Sequence, residues 1–258
     1  MEEFLNLAIN AAKAAGEVHK KYYNTNFVVN TKETSFDRVT VADTESEKVI
    51  VDMIKQCFND HNILAEENKY EGTPSEYTWV IDPLDGTNNF SFGLPIFCVS
   101  IALAKHGKPI VGVIYDVSRD ELFYAGKGKG AFLNGEKIFV SGTKTLDMAL
   151  LITGFYYDRG EKMLETLEHI KAFYAENIVG VRRLGAAALD LCYVACGRAT
   201  GFWEFKLSPW DFAAGMLLIE EAGGKVTGRR GEEVPLSEYF IVSSNGYIHD
   251  QMVKILSK

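Results

Sequence analysis

Apolar residues recur at intervals of three and four through Phe4, Leu7, Ala8, Ala11, Ala15, Val18 and Tyr22, which predicts an amphipathic helix over residues 3–24. Between Asn24 and Val41 that period is lost among Asn, Thr, Lys and Ser, and a mobile loop or loose hairpin is expected. Val49, Ile50, Met53, Ile54, Cys57 and Phe58 restore it as a second helix, with Asp43 or Thr44 placed to cap its first amides. His61 to Glu67 reads as a short strand ending in two acids, and Thr78 to Ile81 as an apolar strand running straight into Asp82. Strands follow over 96–105, 110–116 and 121–125, joined by turns at 106–109 and 118–120.

Gly126-Lys127-Gly128-Lys129-Gly130 resembles a phosphate loop in composition only. No Lys-Ser/Thr pair follows, and the next segment reads as a strand entering an Asn134-Gly135 hairpin, so the glycines are assigned to turns. Near residue 145 the organisation changes, which predicts two lobes, 1–145 and 146–258, in one compact catalytic unit. The second lobe is read as strands at 148–154, 178–182, 201–205 and 239–243 and helices at 161–174, 186–196 and 249–256. A further helix starts at Trp210 and is stopped by Gly223-Gly224. Helices and strands without regular alternation predict an α+β fold with mixed sheets.

With 258 residues and 47% hydrophobic content, the chain can bury one or two substantial cores. No apolar run approaches the roughly 20 residues of a membrane span, and the acidic start Met1-Glu2-Glu3 is no secretory leader, so a cytoplasmic location is expected. Cys57, Cys98, Cys192 and Cys196 lack CxxC spacing and are expected to be buried, reduced thiols, with packing favoured over metal or redox chemistry for the last two. A formal net charge of −8 argues against general nucleic-acid binding. The five histidines are scattered without HExxH or HxxxH, and GxSxG is absent, which disfavours zinc and serine-hydrolase chemistry.

The candidate chemistry lies in Asp82-Pro83-Leu84-Asp85-Gly86-Thr87. Pro83 and Gly86 predict a sharp turn that brings Asp82 and Asp85 together. Two close carboxylates either share a proton or flank a cation, and this turn offers carboxylate, carbonyl and hydroxyl oxygens of the kind Mg²⁺ takes. An acidic surface turn is the competing reading. Glu66 repeats the strand-end carboxylate, while Asp43 and Asp211 read as helix caps, Asp211 in a first turn where a phosphate could also approach.

Trp79-Val80-Ile81-Asp82-Pro83-Leu84-Asp85-Gly86-Thr87-Asn88-Asn89-Phe90 resembles the first signature of the inositol monophosphatase family. Trp210-Asp211-Phe212-Ala213-Ala214-Gly215, continuing to Glu221-Ala222-Gly223-Gly224, resembles the second, and the likeness covers nearly the whole chain. It implies a layered αβαβα sandwich, Mg²⁺-dependent hydrolysis of phosphate monoesters, and a homodimer. Two to three Mg²⁺ ions are implied, with Mn²⁺ able to substitute and Li⁺ and Ca²⁺ inhibitory. Carried over by position, Glu66, Asp82 and the Leu84 carbonyl would hold one metal and Asp82, Asp85 and Asp211 a second, with Glu66 serving a weaker third. Thr87 and Asp43 would orient the attacking water, and the Gly86 and Thr87 amides would grip phosphate. Asp85, Ala187, Glu204 and Asp211 would contact the alcohol, and Lys32 would complete the site from a mobile loop. The resemblance thus implies in-line attack by metal-bound water without a phosphoenzyme.

Inositol monophosphate or a similar polyol or sugar phosphate is the expected substrate. Fructose 1,6-bisphosphate, histidinol phosphate and phosphoadenosine phosphate stay open, because Ser208 and Ala186 stand where relatives vary and fold likeness does not choose a substrate. Arg182 and Arg183 read as a dimer contact or a solvated pair. A regulatory binding protein would tolerate a broken metal set, and here the set is complete. A glycosidase would need two carboxylates flanking a sugar bond, which adjacent acids on one turn suit poorly.

Overall fold

Alternation along the strands decides the layers. In the computed structural model, residues 1–25, 29–31, 38–156 and 159–258 are described. The chain begins with α1 (Glu2–Tyr22), a short antiparallel pair β1 (Val29–Thr31) and β2 (Arg38–Thr40), and α2 (Val41–Cys57). The pair bears out the loose-hairpin reading; Lys32 lies outside the described residues.

A seven-stranded sheet follows in chain order: β3 (Asn62–Ala65), β4 (Tyr77–Asp85), β5 (Cys98–Lys105), β6 (Lys108–Asp116), β7 (Glu121–Gly126), β8 (Gly130–Leu133) and β9 (Glu136–Ile138), with α3 (Thr87–Ser91) between β4 and β5. Only β3 and β4 are parallel in this sheet. Then come β10 (Leu150–Thr153), α4 (Glu161–Ala175), β11 (Gly180–Arg182), α5 (Ala187–Ala195), β12 (Gly201–Leu207), α6 (Pro209–Glu221), β13 (Lys225–Thr227), β14 (Tyr239–Ser244) and α7 (His249–Leu256). Their strands form a mixed five-stranded sheet in the order β11-β10-β12-β14-β13.

Trp79, Ile81, Ile101 and Val113 face α1 and α2, while Val80, Ala102 and Ile114 on the same strands face α5 and α6. In the second sheet Ile152, Phe202 and Ile241 join that middle layer, and Leu151, Trp203 and Val242 face α4 and α7. The layers therefore run helix, sheet, helix, sheet, helix, an α+β sandwich of αβαβα type. Burying each such large side chain contributes roughly 1.5–3 kcal/mol.

Among the described residues β13, α3 and a 3-10 turn at Leu146–Met148 escaped the sequence pattern. Both β13 and α3 are too short to display a period. Cys57 departs from expectation: it ends α2 and is exposed, whereas Cys98 and Cys192 are buried. The glycines of residues 126–130 do make turns, and the Gly128 and Gly130 amides donate to the two carboxylate oxygens of Glu221, 2.6 and 2.7 Å away. Among the described residues no helix is long and apolar enough to cross a membrane.

Candidate active site

The turn after β4 is built by its own backbone. Pairing with β5 slips between Asp82 and Asp85, where the chain carries an extra residue. Leu84 N–H donates to Asp82 Oδ1 (3.0 Å), and the Leu84 carbonyl accepts from Thr87 Oγ1 (2.9 Å). From behind, buried His19 on α1 donates Nε2–H to the Pro83 carbonyl (2.9 Å), and burial holds this imidazole down at about 4. Gly86 takes φ +89°, and a Cβ there would stand 2.7 Å from the Ile96 carbonyl, so only glycine fits.

Further elements converge on this turn. Asp85 Oδ2 accepts from Ala188 N–H (2.7 Å) at the start of α5, which ties the first sheet to the middle helices. Glu66 follows β3, its N–H bonded to the Ile81 carbonyl (3.2 Å), so the parallel pairing of β3 with β4 brings Glu66 beside Asp82. Asp211 comes from α6, where Ser208 N–H donates to its Oδ2 (2.7 Å). Glu204 comes from β12, and Gly154 makes room for it, since a Cβ at 154 would collide with the Glu204 carboxylate. Glu66, Asp82, Leu84, Asp85, Gly86, Thr87, Ala187, Glu204 and Asp211 all line one cleft of about 400 Å³, with Ala186 and Ser208 also on its wall.

Asp43 stands just behind that wall. It does cap α2, as the sequence suggested, but from the third helical position, in a capping box with the N-cap residue Thr40. Thr40 N–H and Oγ1–H donate to Asp43 Oδ2 at 2.7 and 2.6 Å, and Oδ1 lies 2.9 Å from Thr87 Oγ1. Asp211 likewise sits at the third position of α6, whose cap is Ser208.

Charge in the cleft is unbalanced. Burial raises Asp43 to about 6, with the Thr40 hydrogen bonds opposing and Glu66 adding repulsion. Burial raises Asp85 to about 7, opposed by the Ala188 amide and reinforced by Glu66. Asp82 is pushed well above the carboxylate range by burial and then by Glu66, Asp85 and Asp211, and Asp211 by burial, Asp85 and Glu66. Glu204 rises to about 8 through burial, partly offset by Arg183. Four hard oxygen donors that repel one another suit a divalent cation. Among the described residues no three His, Cys, Asp or Glu side chains are drawn together into a ready-made metal cage. The carboxylates share one wall of the cleft and each other's field.

Sequence reasoning missed the cationic part of the cleft. Arg183, expected to be solvated or at a dimer contact, lines it, as does Lys206. Lys206 sits in a bulge between Glu204 and Leu207 with φ +51°, donating to Tyr156 Oη (3.2 Å) and paired with Glu238 (3.0 Å). The bulge returns Leu207 to the middle core that holds Phe202. The sequence pattern ends this strand at residue 205, and a bulge that breaks alternation between Glu204 and Leu207 is what sets Lys206 on the cleft wall.

A profile of the inositol monophosphatase family matches residues 1–258. The chain belongs to the inositol monophosphatase family. An inositol-1-monophosphatase of Synechocystis sp. is 41% identical over 258 residues, covering 100% of this chain and 90% of that protein. Nus factor SuhB of Escherichia coli strain K12 is 45% identical over 233 residues, 90% of this chain and 87% of that one. The crystal structure of extragenic suppressor protein suhB from Bartonella henselae superposes with a TM-score of 0.94 at 38% identity, covering 99% of both chains. Membership in this phosphatase family and the sandwich fold therefore stand together, and both signatures lie on this cleft.

Proposed function

We propose that the protein is a Mg²⁺-dependent phosphomonoesterase that hydrolyses inositol monophosphate or a closely similar polyol phosphate. One observation carries the reading: Glu66, Asp82, Asp85 and Asp211, from three separate segments, share a cleft with Glu204 and with Thr87, whose hydroxyl is backed by Asp43. Glu66, Asp82, the Leu84 carbonyl, Asp85 and Asp211 would hold the cation. When bound, Mg²⁺ acidifies water and neutralises charge on phosphate and leaving alkoxide.

The chain's own residues do the rest. Thr87 Oγ1 has one proton and two acceptors at 2.9 Å, Asp43 Oδ1 and the Leu84 carbonyl. Whenever that proton goes to Asp43, the hydroxyl oxygen is free to accept one from water, so the pair is a short proton path ending on a buried carboxylate. The Gly86 and Thr87 amides, at the start of α3, would orient the phosphate. Glu204 and the wall at Ala187 would orient the alcohol's hydroxyls. Attack by water, with no phosphoenzyme, is the path in this reading; the Cys98 thiol is buried 3.8 Å from Asp85 Oδ2 and does not line the cleft.

A second reading rests on Arg183 and Lys206. Two cations on the wall of an otherwise acidic cleft would suit a substrate with a second anionic group, such as a sugar bisphosphate. A regulatory role like that named for the SuhB relatives is compatible with catalysis, and the complete carboxylate set favours catalysis over binding alone. The reading also takes the protein as a cytoplasmic homodimer.

Phosphate release from inositol 1-phosphate, fructose 1,6-bisphosphate, histidinol phosphate and phosphoadenosine phosphate, with Mg²⁺ and with added Li⁺, tests this. Inositol 1-phosphate should be hydrolysed fastest and only with Mg²⁺. Release from none of the four would sink the proposal. Arg183→Ala should raise KM for the bisphosphate by about tenfold and leave inositol 1-phosphate nearly unchanged if the second reading holds.

A further inference from the structure

One turn after Asp43 on α2 lies Glu47, fully buried. A carboxylate shut away from water must find donors or a counter-charge. Among the described residues no lysine or arginine pairs with it, and its hydrogen-bond partners all come from one short segment. Oε2 accepts from the Glu67 backbone N–H (2.9 Å), and Oε1 accepts from Asn68 Nδ2 (2.8 Å) and Tyr70 Oη (3.0 Å). That segment begins immediately after Glu66.

Glu66 is thereby held from both sides. Its own N–H is fixed to the Ile81 carbonyl of β4 (3.2 Å), and the next N–H in the chain is fixed to Glu47. Beyond β3 the chain has no helix or strand until β4 begins at Tyr77, so regular structure does not define where Glu66 points. We infer that Glu47 is a positioning residue, a buried carboxylate that clamps residues 67–70 and so sets the Glu66 carboxylate at the cation-binding face of the cleft. The inference rests on the cation-dependent reading above.

Geometry explains why an acid is needed. All three partners donate, and a carboxylate can accept from all of them at once, whereas an amide must turn an NH₂ toward at least one N–H or O–H. Both functional acids of α2 lie on one face four residues apart: Asp43 serves Thr87, and Glu47 serves the segment behind Glu66.

The test compares Glu47→Gln and Tyr70→Phe with Glu45→Gln, a partly exposed acid on the same helix bound to Lys21 and Tyr22. Mg²⁺ or Mn²⁺ affinity of the substrate-free protein is measured by calorimetry, and kcat and KM are measured across a Mg²⁺ series. Glu47→Gln should weaken cation binding by about 10–100-fold, the range seen when the hydrogen-bond partner of a metal ligand is lost. Excess Mg²⁺ should then recover most of kcat, which a purely structural defect would not allow. Tyr70→Phe should move in the same direction by a smaller factor, and Glu45→Gln should match wild type. A folded Glu47→Gln with wild-type cation affinity overturns the inference alone. If Glu47→Gln fails to fold, wild-type affinity in Tyr70→Phe overturns it instead. A wild-type protein that binds no divalent cation overturns the phosphatase reading and this inference with it.

Discussion

In both α2 and α6 the residue before the helix gives its N–H to an aspartate three positions on: Thr40 to Asp43 Oδ2 and Ser208 to Asp211 Oδ2, each at 2.7 Å. The local motif is the same and the second oxygen differs. Buried Asp43 reaches through Oδ1 to Thr87 Oγ1 at 2.9 Å, behind the cleft wall that Thr87 lines. Asp211 Oδ1 makes no hydrogen bond among the described residues, and the carboxylate borders the open cleft facing Asp85 and Glu66. One cap is turned toward a hydroxyl and the other toward a space where negative charge accumulates. Capping and chemistry are therefore not rival explanations of an acid at a helix start: a carboxylate has two oxygens, and the cap fixes the rotamer that aims the other.

Replacing each aspartate by asparagine should separate the two roles. Asp211→Asn keeps an acceptor for Ser208 N–H and removes a charge from the cleft, so cation affinity and turnover should both collapse, turnover by roughly a thousandfold. Turnover within a few-fold of wild type at saturating Mg²⁺ would remove Asp211 from the cation site. Asp43→Asn should cost less, roughly a hundredfold in kcat, as expected for loss of a proton acceptor, with cation affinity near wild type. If cation binding fell equally in both variants, the contrast between the two helix starts would be lost.

Layers and most element bounds were legible because α1, β4 to β6 and α6 each carry a period long enough to read. Short elements were not: β13 offers three residues between glycine-rich turns, and α3 offers five polar-rich ones. For the site, the two signatures gave the turn from Asp82 to Thr87 and Asp211, and the wider family likeness gave Glu66, Ala187 and Glu204. What the signatures could not give was the partner of each side chain. Asp43 read locally as a cap, and only the family likeness paired it with Thr87, because the reach from α2 to Thr87 is a long-range contact that no local spacing encodes. Arg183 was read as solvated for the same reason, since only the packing of α5 beside β4 brings residues 183–187 to the cleft.

The cleft carboxylates and the buried histidines predict opposite responses to pH. Asp85 and Glu204 titrate in the fold at about 7 and about 8, above their ordinary 3.8 and 4.5. Their stabilising contribution is complete below the unfolded values and is lost as pH rises through the folded ones. Cation-free protein should thus melt progressively earlier from about pH 5 to about pH 8, and Mg²⁺ should raise the melting temperature far more at the upper end. His19, His169 and His249, buried and lowered to about 4, act the other way: their contribution is full above 6.5 and is lost as pH falls toward 4. With Mg²⁺ saturating, only this acid-side loss should show. Melting curves with a Mg²⁺ effect equal at both ends would mean the cleft carboxylates do not carry the cation.

The smallest expected effect tests the caps themselves. Thr40 Oγ1 accepts from Ala42 N–H (3.1 Å) and donates to Asp43 Oδ2 (2.6 Å), whereas Ser208 forms a capping box with Asp211 whose short bond is the backbone N–H of Ser208 to Asp211 Oδ2 (2.7 Å), its hydroxyl donating nothing to that carboxylate. Thr40→Ala should therefore cost about 1 kcal/mol, lowering the melting temperature by about 2–4 °C in a chain of this size, and should move the Asp43 carboxyl further upward by removing a donor. Ser208→Ala should cost less than half as much. Equal losses in differential scanning calorimetry would show that the hydroxyls matter alike and that the difference between the helix starts lies wholly in where the second carboxylate oxygen points.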